Sequence, residues 1–292
     1  MQKSLVLFLL LAACGGGSLP GNSGKISVLV SVVPQKYFVE KLAGGLADVS
    51  VLIPPGANPA AYEMSPSGMR VVNDADIWFT LGLQREAAWI PEFSSINSSL
   101  RIVSTINGIA RLPITRYGIP EQQDETGSRD PDPHVWLSPE LVCLQAEVIC
   151  EALCETDSIN REVYTQNLAL FLEEIDTLQF KIHGILDRYS GEGFMVFHPA
   201  WGYFADEFNL VQVPIEIAGS EPSPGEMAQL ISYGRSSSVK IVFVSPQFSE
   251  VSAETIAGEM GASVVFIDPL APGWSENLLY VAEEIAHAME RE

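Results

Sequence analysis

The sequence predicts an α/β fold class in which two parallel-sheet lobes with flanking helices are joined by one long spine helix. Three observations predict it. Short runs rich in branched residues alternate with helical segments, and this alternation occurs in each half of the chain. Between the halves lies a long stretch without proline whose apolar residues recur at three-to-four spacing. Strand–helix alternation implies parallel sheets with right-handed crossovers. At 292 residues, 47 % of them hydrophobic, the chain is long enough for two globular domains, each with its own core.

Taken in order, residues 1–13 carry one charge, Lys3, followed by the apolar run Leu5 to Ala13. That run is far shorter than the roughly 20 residues needed to span a bilayer, and it reads as a signal peptide. Leu11-Ala12-Ala13-Cys14 resembles a bacterial lipoprotein cleavage box in which Cys14 becomes the acylated first residue. Residues 14–24, rich in glycine and serine, read as the lipidated tether. An N-terminal lobe then covers 25–157, with strands predicted at 26–33, 47–53, 76–80 and 101–104. Helices are predicted there at 36–43, 66–73, 85–90 and 139–155. The connecting helix covers 158–189, where Val163, Leu170, Ile175, Leu178, Ile182, Ile185 and Leu186 form the apolar stripe. A helix of that length runs about 45 Å, enough to traverse the molecule. The C-terminal lobe, 190–292, has strands predicted at 193–197, 210–215, 239–244 and 263–267. Its helices are predicted at 202–208, 224–236, 253–260 and 276–290.

Charge excludes some partners. Without Lys3 the chain has 15 basic against 37 acidic residues, a formal charge of −22. Such a polyanion is repelled by nucleic acid and by anionic lipid surfaces. Cys143, Cys150 and Cys154 fall along one helical face without a CxxC pair, and read as small buried residues rather than a zinc cluster.

In open parallel sheets, ligands bind beyond the carboxyl ends of strands. Four loops occupy such positions, at 54–65, 107–138, after 197 and after 267. His134, His198 and Asp268 sit in three of them, drawn from both lobes. Singly, each has a plainer reading, as a hydrogen-bonding histidine or an aspartate that begins a turn. Together, two imidazoles and a carboxylate suit zinc, and also manganese or iron. Trp136, Trp201 and Trp274 stand nearby in sequence as residues able to wall off water. His183 and His287 fall within helices among charged neighbours and read as surface residues.

Several segments carry a specific resemblance: Ile53-Pro54-Pro55-Gly56-Ala57-Asn58-Pro59-Ala60-Ala61-Tyr62-Glu63, Asp132-Pro133-His134-Val135-Trp136, Phe197-His198-Pro199-Ala200-Trp201, Glu221-Pro222-Ser223-Pro224 and Phe266-Ile267-Asp268-Pro269-Leu270. With them the chain resembles the zinc/manganese-type metal-binding lipoproteins of ABC importers over its whole mature length. The resemblance implies a non-enzymatic, monomeric, extracytoplasmic protein, anchored to a bacterial membrane through Cys14, that delivers metal to an ABC permease. It carries over His134, His198 and Asp268 as metal ligands. A histidine at 198, where manganese-type members tend to have glutamate, implies zinc as the transported ligand.

One departure stands out. The family normally has a histidine ligand where this chain has Ala60. Glu63, Tyr62 or an acid from the segment 121–132 are the candidate substitutes. A changed ligand, whether manganese, iron, a chelated metal or a small organic solute, is therefore the alternative. A zinc-dependent hydrolase is a remote one, because neither an HExxH motif nor a nucleophile elbow is present.

Overall fold

A computed structural model describes residues 24–114, 131–216, 222–237, 239–248 and 250–290. Cys14, the leader, the tether and the acids Glu121, Asp124, Glu125 and Asp130 lie outside the described residues.

The N-terminal half contains β1 (Ile26–Val30), α1 (Val33–Ala43), β2 (Ala47–Val51), α2 (Pro66–Asn73), β3 (Ile77–Thr80), α3 (Gln84–Ile96), β4 (Arg101–Ser104) and α4 (Pro139–Thr156). Helix α5 (Arg161–Leu186) leads to β5 (Gly193–Val196), α6 (Gly202–Glu207), β6 (Val211–Pro214), α7 (Pro224–Ser236), β7 (Ile241–Val244), α8 (Glu250–Met260), β8 (Ser263–Phe266) and α9 (Trp274–Glu290). The two sheets have the same strand order, β2-β1-β3-β4 and β6-β5-β7-β8, and every pairing is parallel. In each sheet the order reverses beside the first strand, and this switch point opens a crevice at the carboxyl ends.

The expected elements are present, with shifted ends. Strand β1 stops at Val30 rather than residue 33, because the Gln35 side chain accepts from Ser31 N at 2.9 Å and turns the chain into α1. Pro34 fits that first helical turn, where its missing N–H costs nothing. Helix α3 runs through Pro91 to Ile96, although a proline argues for a stop at residue 90. Burial outweighs the lost hydrogen bond: Trp89 and Phe93 are both buried and stack at 6.0 Å. The spine, α5, has 26 residues and about 39 Å of length, with a 3-10 turn at either end. Its buried stripe uses Tyr164 and Phe171, whereas Val163 and Leu170, expected inside, are 40 % and 59 % exposed. The phase is set by the aromatic residues, which bury more area than the aliphatic neighbours beside them.

The halves are welded together. Helix α9 crosses back to pack on α5, and Trp274 at its start meets Phe38 edge-on at 5.1 Å. Trp274 Nε1 donates to Trp136 O at 2.6 Å, and Trp136 Nε1 donates to Pro269 O at 2.7 Å. Glu207 of α6 accepts from Ser138 Oγ and from Gln179 Nε2, tying the C-terminal lobe to α4 and α5. Burial pushes the Glu207 carboxyl above its ordinary range. Cys150 and Cys154 are buried on α4 and unpaired, as small core residues.

Candidate metal centre

All four strands of the C-terminal sheet end in a polar side chain two or three residues beyond the strand: His198 after β5, Glu216 after β6, Gln247 after β7 and Asp268 after β8. The N-terminal lobe delivers His134 just before a 3-10 turn at Val135–Leu137. The two histidines meet between the lobes, their ring centres 5.3 Å apart and their planes at 78°. This is the spacing of two imidazoles on one ion. Zinc–nitrogen bonds of about 2.0–2.1 Å, plus about 1.1 Å from nitrogen to ring centre, give about 5.2 Å at a tetrahedral angle.

Each ring is held from behind. His134 Nδ1 lies 2.7 Å from Asp132 Oδ1, and His198 Nδ1 lies 2.5 Å from Glu216 Oε2. An ionised carboxylate only accepts, so each Nδ1 donates and, in the neutral imidazole, Nε2 keeps a free lone pair. Metal-binding histidines are oriented in this way, and their outer partners weigh on affinity. Both carboxylates are buried, Asp132 at 2 % exposure and Glu216 at 7 %. Asp132 is positioned in turn by Tyr203, whose hydroxyl donates to its carbonyl at 3.0 Å, and by Arg111, whose Nε donates there at 3.1 Å. Gly202 allows this approach, since a Cβ at that position would lie 2.8 Å from Asp132 Oδ2. Burial lowers the His198 pKa below the ordinary histidine value, against the pull of Glu216.

A cavity of about 30 Å³ lies against both rings, lined also by Asn58, Pro59, Trp136, Gln247 and Phe248. It has room for one or two water-sized groups. Phe248 stacks on His198 at 4.3 Å. Trp136 is a wall, as expected, but Trp201 and Trp274 do not line the cavity and serve the core instead. Asp268 stands one residue removed: its Oδ1 accepts from Gln247 Nε2 at 2.8 Å and from Leu270 N at 2.9 Å. Among the described residues, no three His, Cys, Asp or Glu side chains stand together as a ready metal-holding group. The structure thus brings His134 and His198 together and leaves Asp268 adjacent, engaged by Gln247 and by its own loop.

Two of the candidate substitutes for the absent histidine, Tyr62 and Glu63, are elsewhere. Tyr62 packs edge-on against Trp89 at 6.4 Å, and Glu63 is exposed. Neither lines the cavity. Ala60 is exposed in a turn closed by Asn58, whose Oδ1 accepts from Ala60 N at 2.9 Å. His287 is exposed, as expected, and His183 is half-buried against Phe208, with their side chains near Glu284 and Asp187.

The family model described as zinc-uptake complex component A, periplasmic (ZnuA), matches residues 28–288. The chain belongs to the ZnuA family. It is 29 % identical over 279 residues to the high-affinity zinc uptake system protein ZnuA of Bacillus subtilis, covering 90 % of this chain and 85 % of that protein. A crystal structure of ZnuA superposes with a TM-score of 0.84 at 40 % identity, covering 90 % of this chain and 99 % of that one. A ZnuA deletion mutant with zinc bound superposes at 0.83 and 39 %, covering 92 % and 99 %. Membership makes the chain a metal-binding, substrate-binding component of ABC importers. ZnuA proteins are transport proteins rather than enzymes, so the hydrolase alternative has no support. Among the described residues, no helix is long and apolar enough to cross a membrane.

Sequence reasoning missed Glu216 and Gln247. Glu216 follows its strand at the two-residue offset of His198 and Asp268 and Gln247 follows at three, a signal only once the strand order is known.

Proposed function

We propose that the chain captures a divalent transition metal, zinc foremost, between His134 and His198, with Asp268 as the carboxylate donor. The loaded protein passes the ion to a membrane permease of the ABC type. The observation that carries this reading is the pair of imidazoles at shared-ion spacing, each with its Nδ1 on a buried carboxylate. Two nitrogen donors favour zinc over the harder manganese ion. Asp268 joins by exchanging one of its loop hydrogen bonds for the metal. The zinc bound in a ZnuA deletion mutant of the same fold supports the choice of ion.

The proposal extends to the ends of the chain. Leu11-Ala12-Ala13-Cys14 marks an exported lipoprotein, held at the membrane through Cys14 and working as a monomer outside the cytoplasm. Boundaries near residues 157 and 189 separate the lobes from the spine.

A second reading has one observation in its favour. With Ala60 exposed and bare, the N-terminal lobe brings one donor where the family pattern has two, so a changed cargo such as manganese fits the same cleft. Titrating the metal-free mature protein with zinc and with manganese separates the readings. The expected result is zinc bound far tighter than manganese. Binding of neither ion below about millimolar, some −4 kcal/mol, rejects the scavenging role.

A further inference from the structure

Of the four polar side chains that end the C-terminal sheet, three have roles in the reading above, and Gln247 has none. It follows β7, the strand beside β5, so it flanks the switch-point crevice together with His198. Its Nε2 donates to Asp268 Oδ1, which fixes the amide and turns the oxygen the other way. That oxygen, Oε1, is shielded from solvent and has no hydrogen-bond partner among the described residues. The residue lines the same cavity as His134 and His198. An acceptor buried without a donor is destabilising, and an electropositive occupant of the cavity removes that cost. The other such atom, Oε1 of Gln145, belongs to α4 and not to this cavity.

Asn58 is the competing candidate on the N-terminal side. Its Oδ1 already accepts from Ala60 N, so a cation there would share that oxygen with the turn, whereas Gln247 Oε1 has no donor to give up.

We infer that Gln247 is a cargo ligand, its amide oxygen supplying the donor that Ala60 does not. The inference rests on the metal-binding reading above. The resulting set is two imidazole nitrogens from His134 and His198 and two oxygens from Asp268 and Gln247. Three of these four donors come from the C-terminal lobe. A neutral amide oxygen is a harder donor than a third imidazole, so this set tolerates hard divalent ions better than a three-histidine site does.

The test uses the mature chain, zinc affinity by competition with a chromophoric chelator, and visible absorption of the cobalt(II)-loaded protein. Gln247→Leu removes the oxygen, and Gln247→Glu keeps an oxygen but has no N–H for Asp268. His134→Ala serves as control. The expected result is zinc bound about tenfold or more weakly by Gln247→Leu, with altered cobalt bands. Gln247→Glu binds zinc at least as tightly as the parent. If Gln247 merely orients Asp268, both variants weaken alike and the cobalt bands keep their shape, which overturns the inference. Parental affinity in both Gln247 variants, alongside lost binding in His134→Ala, also overturns it while leaving the metal-binding reading intact. Undiminished binding by His134→Ala refutes that parent reading itself. Should Gln247→Leu fail to fold, the affinity of Gln247→Glu still decides.

Discussion

The two lobes share a strand order but equip the cleft differently. In the C-terminal lobe each strand hands over one polar side chain at a nearly fixed offset, and these are cross-linked as His198 to Glu216 and Gln247 to Asp268. In the N-terminal lobe a single histidine arrives just ahead of a 3-10 turn, held by Asp132, while the turn after β2 presents Asn58 and Pro59. One sheet is thus a built cradle and the other a cap carrying one anchored histidine. Residues bridging the lobes, such as Trp136 and Glu207, then keep cap and cradle in register.

The largest expected effect breaks the comparison from both sides. Structural zinc sites with four donors bind with about 10–16 kcal/mol, roughly 3 kcal/mol per donor, so losing one costs roughly 100-fold. His134→Ala and His198→Ala should each weaken zinc binding by about that factor in a competition titration, despite their different lobes. An effect of His198→Ala alone would make the cap dispensable. Next, Ala60→His restores a donor to the bare turn and should tighten zinc by up to roughly the same factor. Unchanged affinity would mean that this turn does not aim side chains at the cation. A smaller loss, about 10- to 100-fold, is expected for Asp132→Asn and for Glu216→Gln, which leave the imidazoles but not their orientation. Comparable losses would equate the two anchoring carboxylates. A loss at Glu216 alone would leave the cap histidine positioned by backbone only.

The smallest effect concerns protons. The pKa of His198 is lowered by burial, so the folded protein binds fewer protons there than the unfolded chain. That stability contribution is complete above the unfolded value of about 6.5 and is lost as pH falls towards the lowered folded value. The slope is at most about 1.4 kcal/mol per pH unit. Thermal unfolding of the metal-free protein should therefore soften below pH 6.5, less steeply in His198→Gln. Zinc release should set in across the same acidic window. Equal zinc affinity at pH 5 and pH 7.5 would contradict imidazole ligation.

Most of the fold was legible because periodicity survives without side-chain geometry: eight strands and the spine emerge from alternation alone. What escaped was phase and termination. The spine stripe shifted by one residue because Tyr164 and Phe171 outweigh Val163 and Leu170 in buried area, and α3 outran Pro91 because Trp89 and Phe93 anchor both sides. At the site, His134 and His198 were legible from loop position and motif. Glu216 and Gln247 were not, since a polar residue after a strand resembles any turn until the strand order places it at a crevice. Asp132 was visible only as one acid of a loop, and its role depends on the close approach that Gly202 permits.

The proposed site holds one cation between His134 and His198. Anomalous diffraction at the zinc absorption edge, from crystals of the zinc-loaded mature protein, tests it most directly. A single strong peak is expected about 2.0–2.1 Å from both Nε2 atoms. A peak bound to one histidine alone, or none between the lobes, would contradict it.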